Sequence, residues 1–327
     1  MRTSTWALAL TLLLLAPRLG HAQCRTAGTL TNLNDSAAFL WDVDTNGSIY
    51  NGSIDSYDSG LELVVDGTVF PAGTPTTELG GRQVVLGPAT LSGLSVTRRV
   101  YVPTTEAWAR FLDTFTNSTA APITATVIVQ SNYGSDSGTA ILASSSGDMT
   151  LSSADRWVTT DDATDSGADP SLCHVMYGTG AAVAPATITN AAFSCFGTEG
   201  MSVTYTLTVP AGGTVRLLYF ESQNMNRAGA LVSCMSFDTL AASTTSDIPA
   251  AELATVVNWT FAQPNGAACT VAAGCVSGNC VDGVCCDTAC GGGAADCQTC
   301  AIAAGAAADG TCGTIAAGTE CRAAADQ

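Results

Sequence analysis

Alternation with period two dominates the chain between residues 23 and about 262. Val203, Tyr205, Leu207 and Val209 alternate with Ser202, Thr204, Thr206 and Thr208, which gives one apolar and one polar side, the mark of a half-buried strand. Leu94, Val96, Val100 and Val102 share a face in the same way, as do Ile123, Ala125, Val127 and Val129. Turn-forming dipeptides separate these short runs, and the pattern predicts an all-β domain, a β-sandwich, over residues 23–262. Pro210-Ala211-Gly212-Gly213 separates the run at 202–209 from another at 214–221, which predicts an antiparallel hairpin. A second hairpin is expected to join residues 108–115 to 123–130 across the turn-forming residues 117–122. Helical periodicity is scarce. Its best candidate begins at Asp247, with Pro249 in the first turn and Glu252 soon after, and runs to about Asn258.

The two ends of the chain read differently. Met1 and Arg2, an apolar run over 6–16 and the small residues of Gly20-His21-Ala22 predict an export signal over residues 1–22. Pro17 and Arg18 interrupt that run well short of a membrane span, and no transmembrane segment is expected in the mature chain. At the other end the strand pattern stops, and ten of the 14 cysteines fall in the last 59 residues. Residues 263–327 therefore read as a small disulfide-rich tail with little regular structure, lacking an apolar core of its own. In an exported chain Cys269, Cys275, Cys280, Cys285, Cys286, Cys290, Cys297, Cys300 and Cys312 are expected in disulfides rather than on zinc, and the tail contains no histidine. Spacing does not choose their connectivity. Cys24, Cys173, Cys195 and Cys234 precede the tail, and Cys173 with Cys195 is the expected pair because both lie in strand-like runs.

Charge narrows the partners. The chain has 28 acidic residues against 11 basic ones and a formal net charge of −17, a surface that repels phosphates and excludes a nucleic-acid partner. The acidic residues suggest one candidate cofactor. Asp42, Asp44 and Asn46, followed by Gly47, match the first half of an EF-hand-type calcium loop, with Asp55 as a further oxygen donor. The second half does not match, since Ser53 stands where the loop needs a bidentate glutamate. Asn46-Gly47 and Asn51-Gly52 are also turn signals on their own. The four aspartates over 161–169 read as a solvated loop.

Catalytic parts are few. His174 is the one histidine after the export signal, and it lies in an apolar run next to Cys173, where a structural imidazole is expected. No nucleophile elbow, zinc-binding helix or lysine-bearing phosphate loop is present. Glycoside cleavage needs only two carboxylates, for which Glu62, Glu106, Glu199 and Glu221 are the candidates. Trp41, Trp108, Trp157, Trp259, Tyr50, Tyr57 and Tyr101 read as core residues, with a sugar-stacking platform as the alternative. Asn34, Asn46, Asn51, Asn117 and Asn258 each begin a glycosylation triplet.

The run from Gly278-Asn279-Cys280 through Cys285-Cys286-Asp287-Thr288-Ala289-Cys290, with Cys297-Gln298-Thr299-Cys300 and Gly310-Thr311-Cys312, resembles a cysteine-rich module of bacterial secreted surface proteins. It is similar to Dickkopf-type segments. Residues 318–327 resemble the opening of a disintegrin-like segment, which implies a module truncated at its C-terminal end and a partner for Cys321 beyond it. Ser56-Tyr57-Asp58-Ser59-Gly60, the stretch from Val96 to Pro103, and Phe115-Thr116-Asn117 resemble uncharacterised secreted bacterial β-rich domains. The Arg99-Val100-Tyr101-Val102-Pro103 strand also resembles super-sandwich domains attached to some carbohydrate-active enzymes, a likeness of fold alone.

These readings converge on an exported, noncatalytic protein, secreted or at the cell surface. Its sandwich serves as a binding or adhesion module for an extracellular ligand, a glycan or a surface protein, and its cystine-rich tail is a spacer. The alternative is a carbohydrate-active enzyme or an ancillary carbohydrate-binding domain.

Overall fold

A computed structural model of the chain describes residues 26–167, 169–193, 199–269, 272–290 and 297–315. The expected export signal, Cys24, Cys195, Cys321 and the disintegrin-like segment lie outside them. In chain order the elements are β1 (Thr31–Asn34), β2 (Leu40–Val43), β3 (Glu62–Val65), β4 (Thr68–Val69), β5 (Thr76–Glu78), β6 (Gln83–Leu91), β7 (Leu94–Tyr101) and β8 (Ala109–Thr116). There follow β9 (Ile123–Asn132), β10 (Ala140–Ser144), β11 (Trp157–Asp161), β12 (Ser171–Val175), β13 (Thr187–Ala192), β14 (Glu199–Val209), β15 (Thr214–Asn224), α1 (Arg227–Phe237) and α2 (Ala250–Leu253). The tail adds β16 (Cys280–Val281), β17 (Val284–Cys285), β18 (Gln298–Thr299) and β19 (Gly313–Thr314).

Two antiparallel sheets face each other. One has eight strands in the order β10-β11-β12-β15-β8-β7-β6-β5, the other five in the order β13-β14-β9-β3-β4. Their inner faces carry the alternating residues expected to be buried: Leu94, Val96 and Val100 meet Ala125, Val127, Val129, Val203, Tyr205 and Leu207 in one core. Thr206 and Thr208 stay exposed on the opposite side of β14. The protein is thus an all-β sandwich followed by a disulfide-rich tail with little regular structure.

Neither expected hairpin forms. β14 pairs with β9 and β13, whereas β15 pairs with β8 and β12, so residues 210–213 cross from one sheet to the other. The link from β8 to β9 makes the same crossing. Period-two patterning says that each strand buries one face, but a strand in either sheet meets that condition. A short turn between two such runs serves a hairpin or an arch equally well. Here Asn117, fully buried, ties the two arches together: its amide donates to the carbonyls of Ala121 and Val209, and its carbonyl oxygen accepts from the Thr119 amide and hydroxyl.

A second apolar cluster covers the outer face of the larger sheet, where Leu112, Leu218 and Phe220 pack under Phe237, Val256 and Trp259. Phe237 belongs to α1, which the sequence reading did not expect. Asn226 caps it by accepting from the Gly229 amide at 2.8 Å. Its buried residues Ala230, Cys234 and Phe237 face the sheet, while Val232 and Met235 are exposed, so apolar residues on both sides blur the helical period. The expected helix from 247 to 258 shrinks to the single turn of α2. Asp247 does not cap it, because its carboxylate is held bidentate by Arg110 at 2.7 and 2.5 Å.

The disulfides supply another correction. Cys173 of β12 pairs with Cys234 of α1, not with Cys195, because Cys173 points to the outer face where the helix lies. In the tail Cys269 pairs with Cys280, Cys275 with Cys285, Cys286 with Cys300 and Cys290 with Cys312. Cys297 is also disulfide-bonded, and no free cysteine occurs among the described residues. The small core of the tail is built largely from these bridges, with Val281 and Val284 packed against them.

Candidate functional site

Polar side chains run along the inner face of the larger sheet, where the sandwich pattern leads one to expect only apolar ones. On β15 the inward positions are Leu217, Tyr219, Glu221 and Gln223, all buried. Arg98 of β7 occupies the buried face between Val96 and Val100 and lies opposite Asp113 of β8. Its Nη2 donates to the Tyr219 hydroxyl at 2.5 Å, and that hydroxyl donates to Asp113 Oδ2 at 2.6 Å. The ion pair between Arg98 Nε and Asp113 Oδ1 is 3.4 Å long. Burial raises the Asp113 pKa against the opposing pull of Arg98, and burial drives the Tyr219 phenol well up.

Farther along β15, Glu221 stands across from His174 of β12. Its Oε2 accepts from His174 Nδ1 at 2.7 Å and from the Tyr57 hydroxyl at 3.1 Å. On the other side of the ring, His174 Nε2 lies 2.8 Å from Thr160 Oγ1 of β11. The Tyr133 ring packs against the imidazole with centroids 4.8 Å apart. Burial, reinforced by the Glu221 charge, pushes both Tyr57 and Tyr133 well above the usual phenol range. Gln223 ends the line, accepting from the Ser53 amide and the Ser56 hydroxyl and donating to the Leu40 carbonyl.

A hydroxyl, an imidazole and a carboxylate in series have the spacing of an activated nucleophile. Thr160 nonetheless sits within a regular strand and is 4% exposed. The expectation of a satisfied, buried His174 agrees with its two ring contacts. Its link to Thr160 was not legible in the sequence, because those residues are 14 apart and meet only through strand register.

Three of the four expected calcium ligands accept hydrogen bonds from backbone amides. Asp42 accepts from the amides of Asn51 and Gly52, Asp44 from those of Gly28 and Thr45, and Asn46 from the amide and hydroxyl of Ser48. Asp42, Asp44 and Asn46 are buried and Asp55 is half-buried. Among the described residues no three carboxylates bring their oxygens within 4.8 Å of one another, and the sets that do approach so closely consist mainly of bridged cysteines.

The aspartates over 161–169 are not simply a solvated loop. Asp161 is buried and pairs with Arg227 at 2.7 Å, while Asp165 accepts from the Arg227 amide at the start of α1. Burial together with the carboxylates of Asp55, Asp162, Asp136 and Asp161 raises Asp169 to about 6. The side chain of Glu199 lies outside the described residues, and the other three candidate glutamates do not converge. Glu62 accepts from Gln130 on the smaller sheet, Glu106 from Trp108 and Ser243, and Glu221 from His174 in the core. Trp41, Trp108, Trp157, Trp259 and Tyr57 are buried, in keeping with their reading as core residues.

Among the openings lined by described residues, two are roomy. One, of about 160 Å³, lies where the ends of the two sheets part and is lined by residues of β10, β11, β13 and β14, Thr160 among them. The other, of about 390 Å³, lies between the sandwich and the tail beside Trp259, Phe261 and Cys269.

No family model matches the chain, and no curated protein matches it. Among solved structures it is similar to the heparinase III BT4657 gene product, at 13% identity and a TM-score of 0.34, over 51% of this chain and 24% of that one. A TPR-domain-containing protein from Parabacteroides distasonis aligns at 6% identity and a TM-score of 0.41, over 58% of this chain and 45% of that one. A putative aldose 1-epimerase from Escherichia coli K12 aligns at 7% identity and a TM-score of 0.38, over 60% and 99% respectively. The chain thus spans less than half of the first two, and no residue role is carried over from any of them.

Proposed function

We propose that this chain is an exported, noncatalytic module of an extracellular or surface protein. Its sandwich is a binding or adhesion unit and its cystine-rich tail, which resembles modules of bacterial surface proteins, is a spacer resistant to proteolysis. The observation that supports this most is where the reactive groups lie. Arg98, Asp113, His174 and Glu221 are bonded to one another or to neighbouring hydroxyls inside the core, so their chemistry is spent on holding neighbouring strands of the larger sheet in register. An enzyme needs such groups facing a cleft where substrate can reach them. The bridged cysteines of the tail favour an oxidising compartment. No helix among the described residues is long and apolar enough to cross a membrane.

The test is incubation of the purified, disulfide-intact mature chain with a polysaccharide panel, reading binding and product together. Retention of a glycan or a surface protein without new reducing or unsaturated ends is the expected result. Product formation that Glu221→Gln abolishes would make the carbohydrate-active alternative correct. The reading requires no cofactor, and calcium at Asp42, Asp44, Asn46 and Asp55 is a separate question answered by melting with calcium and then with chelator.

A further inference from the structure

We propose that the opening between the sheet ends is a binding site for a single uncharged ring bearing hydroxyl groups, of the chemical class of a monosaccharide unit or a cyclitol. The proposal rests on reading the sandwich as a noncatalytic binding unit and names the ligand chemistry that this unit would take.

Size sets the first limit. A cavity of about 160 Å³ is close to one of about 150 Å³ that accommodates benzene in another protein. It therefore has room for one six-membered ring and not for two. The walls set the second. Ile141, Leu151 and Met201 offer apolar surface, while Thr139, Thr160 and Asn190 offer hydroxyl and amide groups. Such a mixture suits a ring with C–H faces and polar edges. None of the described lining residues is charged, so an ionised ligand would lose its hydration without gaining a partner.

The third limit is polar. His174 Nε2 lies 2.8 Å from the Thr160 hydroxyl while its Nδ1 lies against Glu221, which leaves that hydroxyl with hydrogen-bonding capacity toward the cavity. A ligand hydroxyl, which can both donate and accept, matches it in either direction. The same chain, anchored at its far end by Tyr57 on Glu221, fixes the Thr160 rotamer before any ligand arrives.

Ligand-observed NMR titration of the disulfide-intact mature chain tests this with glucose, galactose, mannose, myo-inositol and methyl glycosides, against glucuronate, glucosamine and benzene. A ligand of about a dozen non-hydrogen atoms is expected to bind in the millimolar range. Neutral cyclic polyols should saturate, with the charged rings and benzene at least about tenfold weaker. A methyl glycoside that binds as well as the free sugar points to the end of a glycan as the source, and one that fails points to the free sugar or cyclitol. Thr160→Val removes the hydroxyl and Met201→Trp fills the space, and each should weaken binding at least about tenfold. Ile141→Phe on the edge strand is the second filling variant should Met201→Trp fail to fold by thermal melting. No saturation by any neutral ring, a preference for the charged or apolar probes, or undiminished binding in the folded filling variants overturns the site. Glycans still retained by those variants would place binding elsewhere on the sandwich and leave its role as a binding unit standing.

Discussion

His174 shows what a single buried side chain can organise. Its two ring nitrogens tie Thr160 of β11 to Glu221 of β15, so the central strand β12 is fixed to both neighbours by side chains as well as by its ladder. His174→Ala would leave a buried carboxylate short of one partner and a buried hydroxyl short of its own. The expected loss is about 3 kcal/mol in urea unfolding, and a loss below about 1 kcal/mol would show the link to be dispensable. Asp169 works in the opposite direction. Because its folded pKa is raised to about 6, the folded state binds the proton more tightly than the unfolded chain, and the residue costs stability increasingly as pH rises from about 4 to 6. Asp169→Asn should therefore raise stability at pH 7 by up to about 1 kcal/mol, after allowance for solvent screening, and leave it unchanged below pH 4. Melting curves at both pH values check the sign. Asp42, Asp44 and Asn46 already accept backbone and hydroxyl protons. Added calcium, compared with chelator, is expected to leave the transition where it is, and a marked upward shift would restore them as ligands.

Among the elements, the crossings after β8 and β14 matter most, because they convert consecutive strands into opposite walls of one core. Asn117 is central to both. Asn117→Ala removes two donated and two accepted hydrogen bonds in a buried place, and a cost of about 2 to 3 kcal/mol is expected by denaturant titration. The same burial bears on its glycosylation triplet, since the amide nitrogen is already committed to two carbonyls; Asn46 and Asn258 are buried as well, while Asn34 is exposed. Strand placement was legible for β7, β9 and β14, whose apolar positions alternate, with Arg98 standing among those of β7. Strand pairing was not. α1 escaped notice because a helix that buries Ala230, Cys234 and Phe237 while exposing Val232 and Met235 has little amphipathic contrast. Asn226 was its one local signal, a lone cap residue of a kind common in turns.

The whole molecule joins two regions stabilised by different means. The sandwich closes a large apolar core around a polar line, and the tail closes a small one with four described internal bridges. Reduction should therefore unfold the tail first. Each bridge in so small a unit contributes about 2 to 5 kcal/mol, whereas the sandwich loses only the Cys173–Cys234 link among its described bridges. Hydrogen exchange after mild reduction is expected to show rapid exchange over the tail and persistent protection in β8, β9, β14 and β15. Simultaneous loss of protection in both regions would mean that the tail braces the sandwich.

Taken alone, the order of residues determined the all-β class, the faces of its clearest strands and the cross-linked character of the tail. Those properties depend on local alternation and on cysteine density, both of which are written along the chain. Contact in space decided the rest: which sheet each strand joins, that Cys173 meets Cys234, and that Thr160, His174 and Glu221 form one line. Such pairings depend on register between strands distant in sequence, and the free energy that selects among registers comes from packing the finished core rather than from any single segment.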